Sequence, residues 1–128
     1  MEEVKGPSPV KKVLIVDDEA DICFFLSRNL TKRGFTTSST NSIAEAEKEL
    51  ELTKPEIVLL DNHLPDGKGI DFVTDIATKY PETKIIMMTA HDTPQDRLRA
   101  YNNGVSFFIA KPFTLAAVNQ IVDMVVFG

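Results

Sequence analysis

The chain has 128 residues and a formal net charge of −5, from 14 Lys and Arg against 19 Asp and Glu. Its length suits one compact domain, and its acidic balance disfavours binding of nucleic acid through charge alone. A hydrophobic fraction of 43% with a charged fraction of 26% excludes intrinsic disorder for the chain as a whole.

Residues 1–10 are polar and predict a disordered N-terminal tail, so we expect the folded domain to cover residues 11–128. The single cysteine excludes an internal disulfide, and no apolar run approaches the ~18 residues of a membrane span. We therefore expect a cytoplasmic protein without a membrane anchor.

Five short apolar or β-branched runs alternate with longer segments of helical period. They predict strands at residues 13–16, 36–39, 57–60, 85–88 and 105–109. The second is mostly Thr and Ser, whereas the others are apolar apart from Ser106 in the fifth, as is typical of strands that are buried on both faces of a parallel sheet.

The segments between the strands carry helix signals. Ser42 followed by Glu45 is a capping-box pattern at the start of the second helix. We predict the third helix at about 69–79, the fourth at about 93–102 and the last from Thr114. Glycine or proline follows each of the first four helices, at Gly34, Pro55, Pro81 and Gly104. Apolar stripes predict the buried faces of the first helix (Ile22, Phe25, Leu26, Leu30), the second (Ile43, Ala46, Leu50) and the last (Leu115, Val118, Ile121, Val122, Val125).

Five βα units in strict alternation predict an α/β fold, a three-layer sandwich with helices on both faces of a five-stranded parallel sheet. In such sheets the loops at the carboxyl ends of the strands gather at one edge. The functional groups are therefore expected directly after the strands.

Acidic residues follow two of these strands. Asp17, Asp18 and Glu19 come directly after the first strand, and Asp61 after the third. Helix capping explains one acid at such a position. A convergence of Asp17, Asp18 and Asp61 instead indicates a divalent cation, because carboxylates at close range repel one another unless a cation offsets their charge. Oxygen ligands without a His or Cys cluster favour magnesium.

A hydroxyl and an ammonium group follow the remaining strands. Thr89 ends the fourth strand, and Lys111 with Pro112 follows the fifth. Taken singly, Thr89 is also typical of a helix cap, Lys111 of a solvated charge and Asp61 of a turn. Their combination at one edge favours a functional site. At formal charge, Asp17, Asp18 and Asp61 with Lys111 give −3 + 1 = −2, which one divalent cation neutralises.

Four segments carry a resemblance to a known family: VLIVDDE, LLDNHLPDGKG, MMTA and FFIAKPF. Over about residues 11–127 the chain resembles the receiver domains of two-component response regulators. The resemblance implies a flavodoxin-like sheet with strand order 2-1-3-4-5. It also implies phosphorylation of Asp61 by a sensor histidine kinase or a phosphotransfer protein, and a switched surface that binds a downstream effector protein or domain.

The resemblance further implies a role for each site residue. Asp18 would be a direct ligand of Mg²⁺, Asp17 a ligand partly through water, and His63 a ligand through its backbone carbonyl. Asp61 would bind the metal and act as nucleophile. The chain would then catalyse only its own phosphorylation and dephosphorylation, and would not be an enzyme in the usual sense.

The remaining implied roles concern phosphoryl binding and switching. Thr89 and Lys111 would bind phosphoryl oxygens, with Pro112 in a cis peptide that aims the lysine. Phe108 stands where the family places an aromatic ring that turns inward when the threonine moves. Phe107 suggests an apolar partner surface on the fourth helix, fifth strand and fifth helix, where a homodimer is possible; neither nucleic acid nor membrane is an expected partner.

Two points stay open at the sequence level: the role of two histidines and the choice among three functions. His63 and His91 are either sensors of pH beside the phosphoryl site or solvated loop residues. The function is either that of a receiver or that of a magnesium-dependent phosphatase with an aspartate nucleophile, although the first strand reads DDEAD without the Asp-x-Asp-x-Thr pattern of those enzymes. A third alternative is a receiver-like module that binds proteins without being phosphorylated, against which the presence of every reactive group argues.

Overall fold

The computed structural model describes residues 11–90 and 93–127. The predicted tail at residues 1–10 and His91 lie outside the described residues. The described residues form seven strands and five helices in the order β1 (Lys12–Val16), α1 (Ala20–Lys32), β2 (Thr36–Thr40), α2 (Ile43–Thr53), β3 (Ile57–Asp61), β4 (His63–Leu64), β5 (Gly67–Lys68), α3 (Gly69–Lys79), β6 (Lys84–Thr89), α4 (Pro94–Asn103), β7 (Phe107–Ala110) and α5 (Leu115–Phe127). Within the described ranges, no helix has the length and apolar character needed to cross a bilayer.

Five of the strands form one sheet in the order β2-β1-β3-β6-β7, and all its neighbouring pairs are parallel. This is the predicted order 2-1-3-4-5 once the short hairpin of β4 and β5 is set aside. Because all five strands run the same way, the residues that follow β1, β3, β6 and β7 meet at one edge.

The core lies in two apolar clusters, one on each face of the sheet. Alternate residues of a strand face opposite sides, so Leu14 belongs to one cluster and Ile15 to the other. Helices α2, α3 and α4 cover the first face, and α1 and α5 cover the second. The buried helix residues are Ala46, Leu50, Ile70, Phe72, Val73, Ile76 and Ala100 on the first face, and Leu26, Leu30, Val118 and Val122 on the second.

The helix signals hold with one correction. The third helix has the predicted bounds. At the start of the second helix, Ser42 Oγ accepts a hydrogen bond from the backbone N–H of Glu45, as the capping pattern predicts. Phe25 was expected on the buried face of α1, but 52% of it is exposed. The buried stripe follows an interval of four through Leu26 and Leu30, which leaves Phe25 at its solvent-facing border.

The last strand begins two residues later than predicted, at Phe107. Val105 is buried, but its backbone N–H donates to the carbonyl of Ala100 and so ends α4 instead of joining the sheet. Gly104 permits this ending because it adopts a φ of 119° in the left-handed region. An apolar residue in the closing turn of a helix was therefore mistaken for the start of a strand.

The β4–β5 hairpin was not predicted from the sequence. It pairs His63 with Lys68 and Leu64 with Gly67 between β3 and α3. At its tip, Asp66 accepts hydrogen bonds from the backbone N–H groups of Ile43 and Ala44, at 2.8 and 2.9 Å. These are the first N–H groups of α2, so the hairpin is fixed to the start of a neighbouring helix and the pKa of Asp66 is lowered.

Candidate functional site

Four side chains stand at the carboxyl edge of the sheet because each ends or directly follows a strand. Asp61 is the last residue of β3 and Thr89 the last of β6, while Asp17 follows β1 and Lys111 follows β7. Asp17, Asp61 and Thr89 are only 1%, 4% and 2% exposed. Polar groups are rarely buried to this extent in a sheet unless they have hydrogen-bond or ion-pair partners.

Lys111 is the cation that pairs with the buried acids. Its Nζ lies 2.8 Å from Asp17 Oδ2 and 3.2 Å from Asp61 Oδ1. The backbone fixes the lysine as well, because its N–H donates to the carbonyl of Thr89 at 2.8 Å. The Lys111–Pro112 peptide bond is cis, as predicted. The ends of β1, β3 and β7 are thus joined through one ammonium group.

Burial and neighbouring charges shift the pKa values of both Asp61 and Lys111. Burial, followed by the charge of Asp17, raises the pKa of Asp61, although Lys111 acts in the opposite direction. Burial alone would lower the pKa of Lys111, but the hydrogen bond and charge of Asp17 and the charge of Asp61 raise it above its usual value. The lysine therefore stays protonated. At formal charge, two carboxylates and one ammonium group give these three side chains a net charge of −1.

The donor set at this edge fits a hard divalent cation. Oxygen atoms of Asp17, Asp18 and Glu19 all lie within 4.8 Å of one another. Asp18 and Glu19 are exposed, and both line a small cleft of about 150 Å³ together with Asp61, His63 and Lys111. Carboxylates at this density are the ligands that Mg²⁺ and Ca²⁺ prefer.

Glu19 is a site residue that the predicted ligand set of Asp17, Asp18, Asp61 and His63 did not include. It does hold the N-cap position of α1, but its side chain makes no capping hydrogen bond. Its Oε2 instead lies 3.4 Å from Lys111 Nζ, while its backbone N–H donates to Asp17 Oδ1 at 2.9 Å. The signal available in the sequence was the excess of acids, since one acid suffices to cap a helix.

Gly69 allows the chain to return close to Asp61. A Cβ atom at this position would overlap the backbone carbonyl oxygen of Asp61. The first residue of α3 must therefore lack a side chain if the last residue of β3 is to keep its place. This is a local reason for a glycine in the segment LPDGKG.

The expected switch residue Phe108 is 7% exposed, so its ring points into the core. The guanidinium carbon of Arg97, on α4, lies 4.8 Å from the centre of this ring, within the range of a cation–π contact. Phe107 is half-buried and packs against the cluster beneath α1 and α5. Cys23 is also half-buried, and its thiol donates to the carbonyl of Asp17 at 3.2 Å.

The chain matches the response regulator receiver domain family over residues 13–123. It belongs to this family. Response regulator protein PilR of Pseudomonas aeruginosa is 34% identical to it over 112 residues, 88% of this chain and 25% of PilR. The non-phosphorylated HemR receiver domain from Leptospira biflexa superimposes with a TM-score of 0.87 at 29% identity, covering 92% of this chain and 95% of that one.

A third similar protein is the beryllofluoride-activated NtrC4 receiver domain dimer, with a TM-score of 0.86 at 29% identity over 91% of this chain and 96% of that one. The receiver domain spans between about a quarter and about half of the length of the curated relatives it matches. Receiver domains act in phosphorylation-based two-component signalling, bind Mg²⁺ in an acidic pocket, and interact with histidine kinases and effector domains. They are signalling modules and generally not enzymes.

Proposed function

We propose that Asp61 accepts a phosphoryl group from a sensor histidine kinase or a phosphotransfer protein, and that this modification switches a partner-binding surface of a cytoplasmic regulator. The observation that carries the proposal is the position of Lys111 Nζ, 2.8 Å from Asp17 and 3.2 Å from Asp61 at the edge of the sheet. A cation held between two buried carboxylates is placed to offset the charge that a phosphoryl group adds to Asp61.

In the proposed reaction a carboxylate oxygen of Asp61 attacks phosphorus, and the bond between phosphorus and the donor's nitrogen or oxygen breaks. The imidazole or acyl oxygen of the donor leaves with the bonding electron pair. Because the transition state of phosphoryl transfer is loose, catalysis consists largely of positioning and charge stabilisation. Lys111 supplies a positive charge to one phosphoryl oxygen, and the hydroxyl of Thr89 donates to another.

The metal would be held by Asp17, Asp18, Asp61 and the backbone carbonyl of His63. When bound, Mg²⁺ offsets the charge shared by the carboxylates and the transferred phosphoryl group. The support for this ligand set is that Asp18, Asp61 and His63 line one cleft and that Asp17 and Asp18 belong to one group of acids. Water attack on phosphorus later returns the free carboxylate, so the chain catalyses only its own phosphorylation and dephosphorylation.

Phosphorylation adds roughly −1.5 to −2 charge and three acceptor oxygens to the end of β3. The Thr89 hydroxyl would move towards these oxygens, and Phe108 on the neighbouring strand β7 would respond to that movement. Met87 pairs with Phe108 and Thr89 pairs with Ala110, so the two switch residues, Thr89 and Phe108, belong to adjacent strands. The response is transmitted to α4, whose Arg97 stacks on the Phe108 ring.

The proposed output surface is the face formed by α4, β7 and α5. It exposes several large apolar side chains: Leu98, Tyr101, Met124 and Phe127. An effector protein or domain, or a second copy of this chain, would bind there. The solved NtrC4 receiver domain is a dimer, which supports a homodimer as one output state.

The test is incubation of the chain with Mg²⁺ and a small acyl phosphate, followed by intact-mass analysis. We expect one phosphoryl group per wild-type chain, removal of this group by hydroxylamine, and no adduct on Asp61→Asn. A hydrolase would release many equivalents of phosphate without a stable adduct. A receiver-like binding module would show neither adduct nor release, and either result would contradict the proposal.

A further inference from the structure

The nine-residue stretch from Asp61 to Gly69 joins β3 to α3 and contains both Asp61 and the His63 carbonyl of the proposed metal site. Asn62 stands at its beginning and bonds to both of its neighbours in the fold. Its backbone N–H donates to the carbonyl of Met88 on β6 at 3.2 Å, and its carbonyl accepts from the N–H of Gly69 at 2.8 Å. Any residue except proline could make these two bonds, since only backbone atoms take part.

The side chain of Asn62 adds a bond that few residues could make. Its Oδ1 accepts from the backbone N–H of Ile70 at 2.9 Å. This N–H belongs to the first turn of α3 and has no acceptor within its own helix. The residue in the N-cap position, Lys68, makes no side-chain capping bond. Asn62 therefore caps α3 from eight residues earlier in the chain.

This cap closes the β3–α3 connection into a ring directly beside the nucleophile. With the Gly69 bond it holds the backbone on the carboxyl side of Asp61 against α3, and it fixes the starting point of the hairpin that carries His63. Removal of the amide oxygen would release Ile70 and loosen the position of Asp61. Small displacements of a reacting group slow phosphoryl transfer strongly, because positioning supplies much of its catalysis.

We propose that Asn62 is a positioning residue for phosphorylation of this chain: its amide oxygen holds the first turn of α3 so that Asp61 and the His63 carbonyl keep their places. The inference rests on the proposed function, because it assigns Asn62 a part in the reaction of Asp61. Asn62 acts through the backbone and does not touch the phosphoryl group.

The experiment compares three variants with wild type. Asn62→Ala removes the acceptor, and Asn62→Asp keeps an acceptor at the same distance from the backbone. Ser42→Ala is the matched control, because Ser42 Oγ accepts from Glu45 N–H at the start of α2 and its loss also removes one helix cap. Labelling rates with an acyl phosphate are measured at saturating Mg²⁺, well below the unfolding transition of every variant. Amide hydrogen exchange of Ile70, measured by NMR without donor, reports the hydrogen bond itself.

We expect Asn62→Ala to be labelled on the order of tenfold more slowly than wild type and to lose protection of the Ile70 amide. Asn62→Asp restores both, and Ser42→Ala loses stability while its labelling rate is that of wild type. An unchanged rate or unchanged Ile70 protection in Asn62→Ala, or an Asn62→Asp variant as slow as Asn62→Ala, would overturn the role of Asn62. Failure of wild type itself to be labelled would instead overturn the proposed function, and this role with it.

Discussion

The two edges of the central sheet carry charges of the same kinds in different surroundings. At the amino ends of the strands, Lys12, Glu56 and Lys84 are exposed, and Glu56 Oε1 accepts from the backbone of Lys12 at 2.7 Å. At the carboxyl ends, Asp17 and Asp61 are buried, and the half-buried Lys111 places its Nζ 2.8 Å from Asp17 Oδ2 and 3.2 Å from Asp61 Oδ1. Charge at the end of a strand is therefore common, whereas buried charge with one excess carboxylate distinguishes the functional edge.

The comparison predicts that removal of the cation has its largest effect at the carboxyl edge. Lys111→Met leaves Asp17 and Asp61 buried without their cation, and we expect a loss of about 3 kcal/mol of unfolding free energy in metal-free buffer. Labelling should fall by about 100-fold or more. Urea denaturation and the labelling rate measure the two effects. The control is Lys84→Met, which removes an exposed cation at the amino edge and should change stability by no more than about 0.5 kcal/mol.

Stabilisation of the fold by Mg²⁺ should depend on acids at the carboxyl edge of the sheet and not on acids at the amino edge. Mg²⁺ at 100 times its dissociation constant should stabilise wild type by about 2.7 kcal/mol, because only the folded chain brings the acids together. Asp18→Asn should remove most of this gain, since it deletes one ligand of the proposed set. Thermal unfolding with and without Mg²⁺ measures it. Equal stabilisation of Asp18→Asn and Glu56→Gln by the metal would contradict the proposed site.

The close return of the chain beside Asp61 predicts a substitution that disturbs the carboxyl edge through the backbone. Gly69→Ala places a Cβ against the Asp61 carbonyl, so we expect a loss of about 1–3 kcal/mol and slower labelling. Gly34→Ala is the control. It strains a φ of 96° but meets no atom within 4 Å, so it should lower stability without changing the labelling rate. If both variants are labelled at the wild-type rate, the position of the Asp61 backbone is not limiting.

The smallest expected effect is a pH dependence of stability. Because burial and Asp17 raise the pKa of Asp61 in the folded state, the folded chain holds this proton to a higher pH than the unfolded chain does. The charged carboxylate therefore costs stability as the pH rises above the ordinary value of 3.8. Metal-free Asp61→Asn should be more stable than wild type at neutral pH, with the difference shrinking in acid. Denaturation at several pH values measures it, and a difference that grows in acid would refute the sign.

The sequence predicted most of the fold because its signals are local. Continuous apolar runs identified the buried strands, and Thr93 and Gly104 bracketed α4 at the positions where the structure places its caps. The strand order and the roles of the site residues came from the family resemblance, since spacing alone does not fix which parallel strands are neighbours.

The parts that were missed depend on contacts between distant residues. Asn62 and Asp66 cap helices through backbone N–H groups 8 and 23 residues away, so no pattern within a short window reveals them. The exposure of Phe25 depends on which flank of α1 meets the sheet. Glu19 was left out of the predicted site, since the partner of its side chain, Lys111, lies 92 residues further along the chain.

The location of the adduct tests most directly whether Asp61 is the residue that accepts the phosphoryl group. After incubation with Mg²⁺ and an acyl phosphate, reduction with borohydride converts a phosphorylated aspartate into homoserine, which peptide mass spectrometry can assign to one residue. We expect homoserine at position 61 in wild type and at no position in Lys111→Met above trace levels. Homoserine at Asp17 or Asp18, or labelling of wild type without any reducible aspartate, would contradict it.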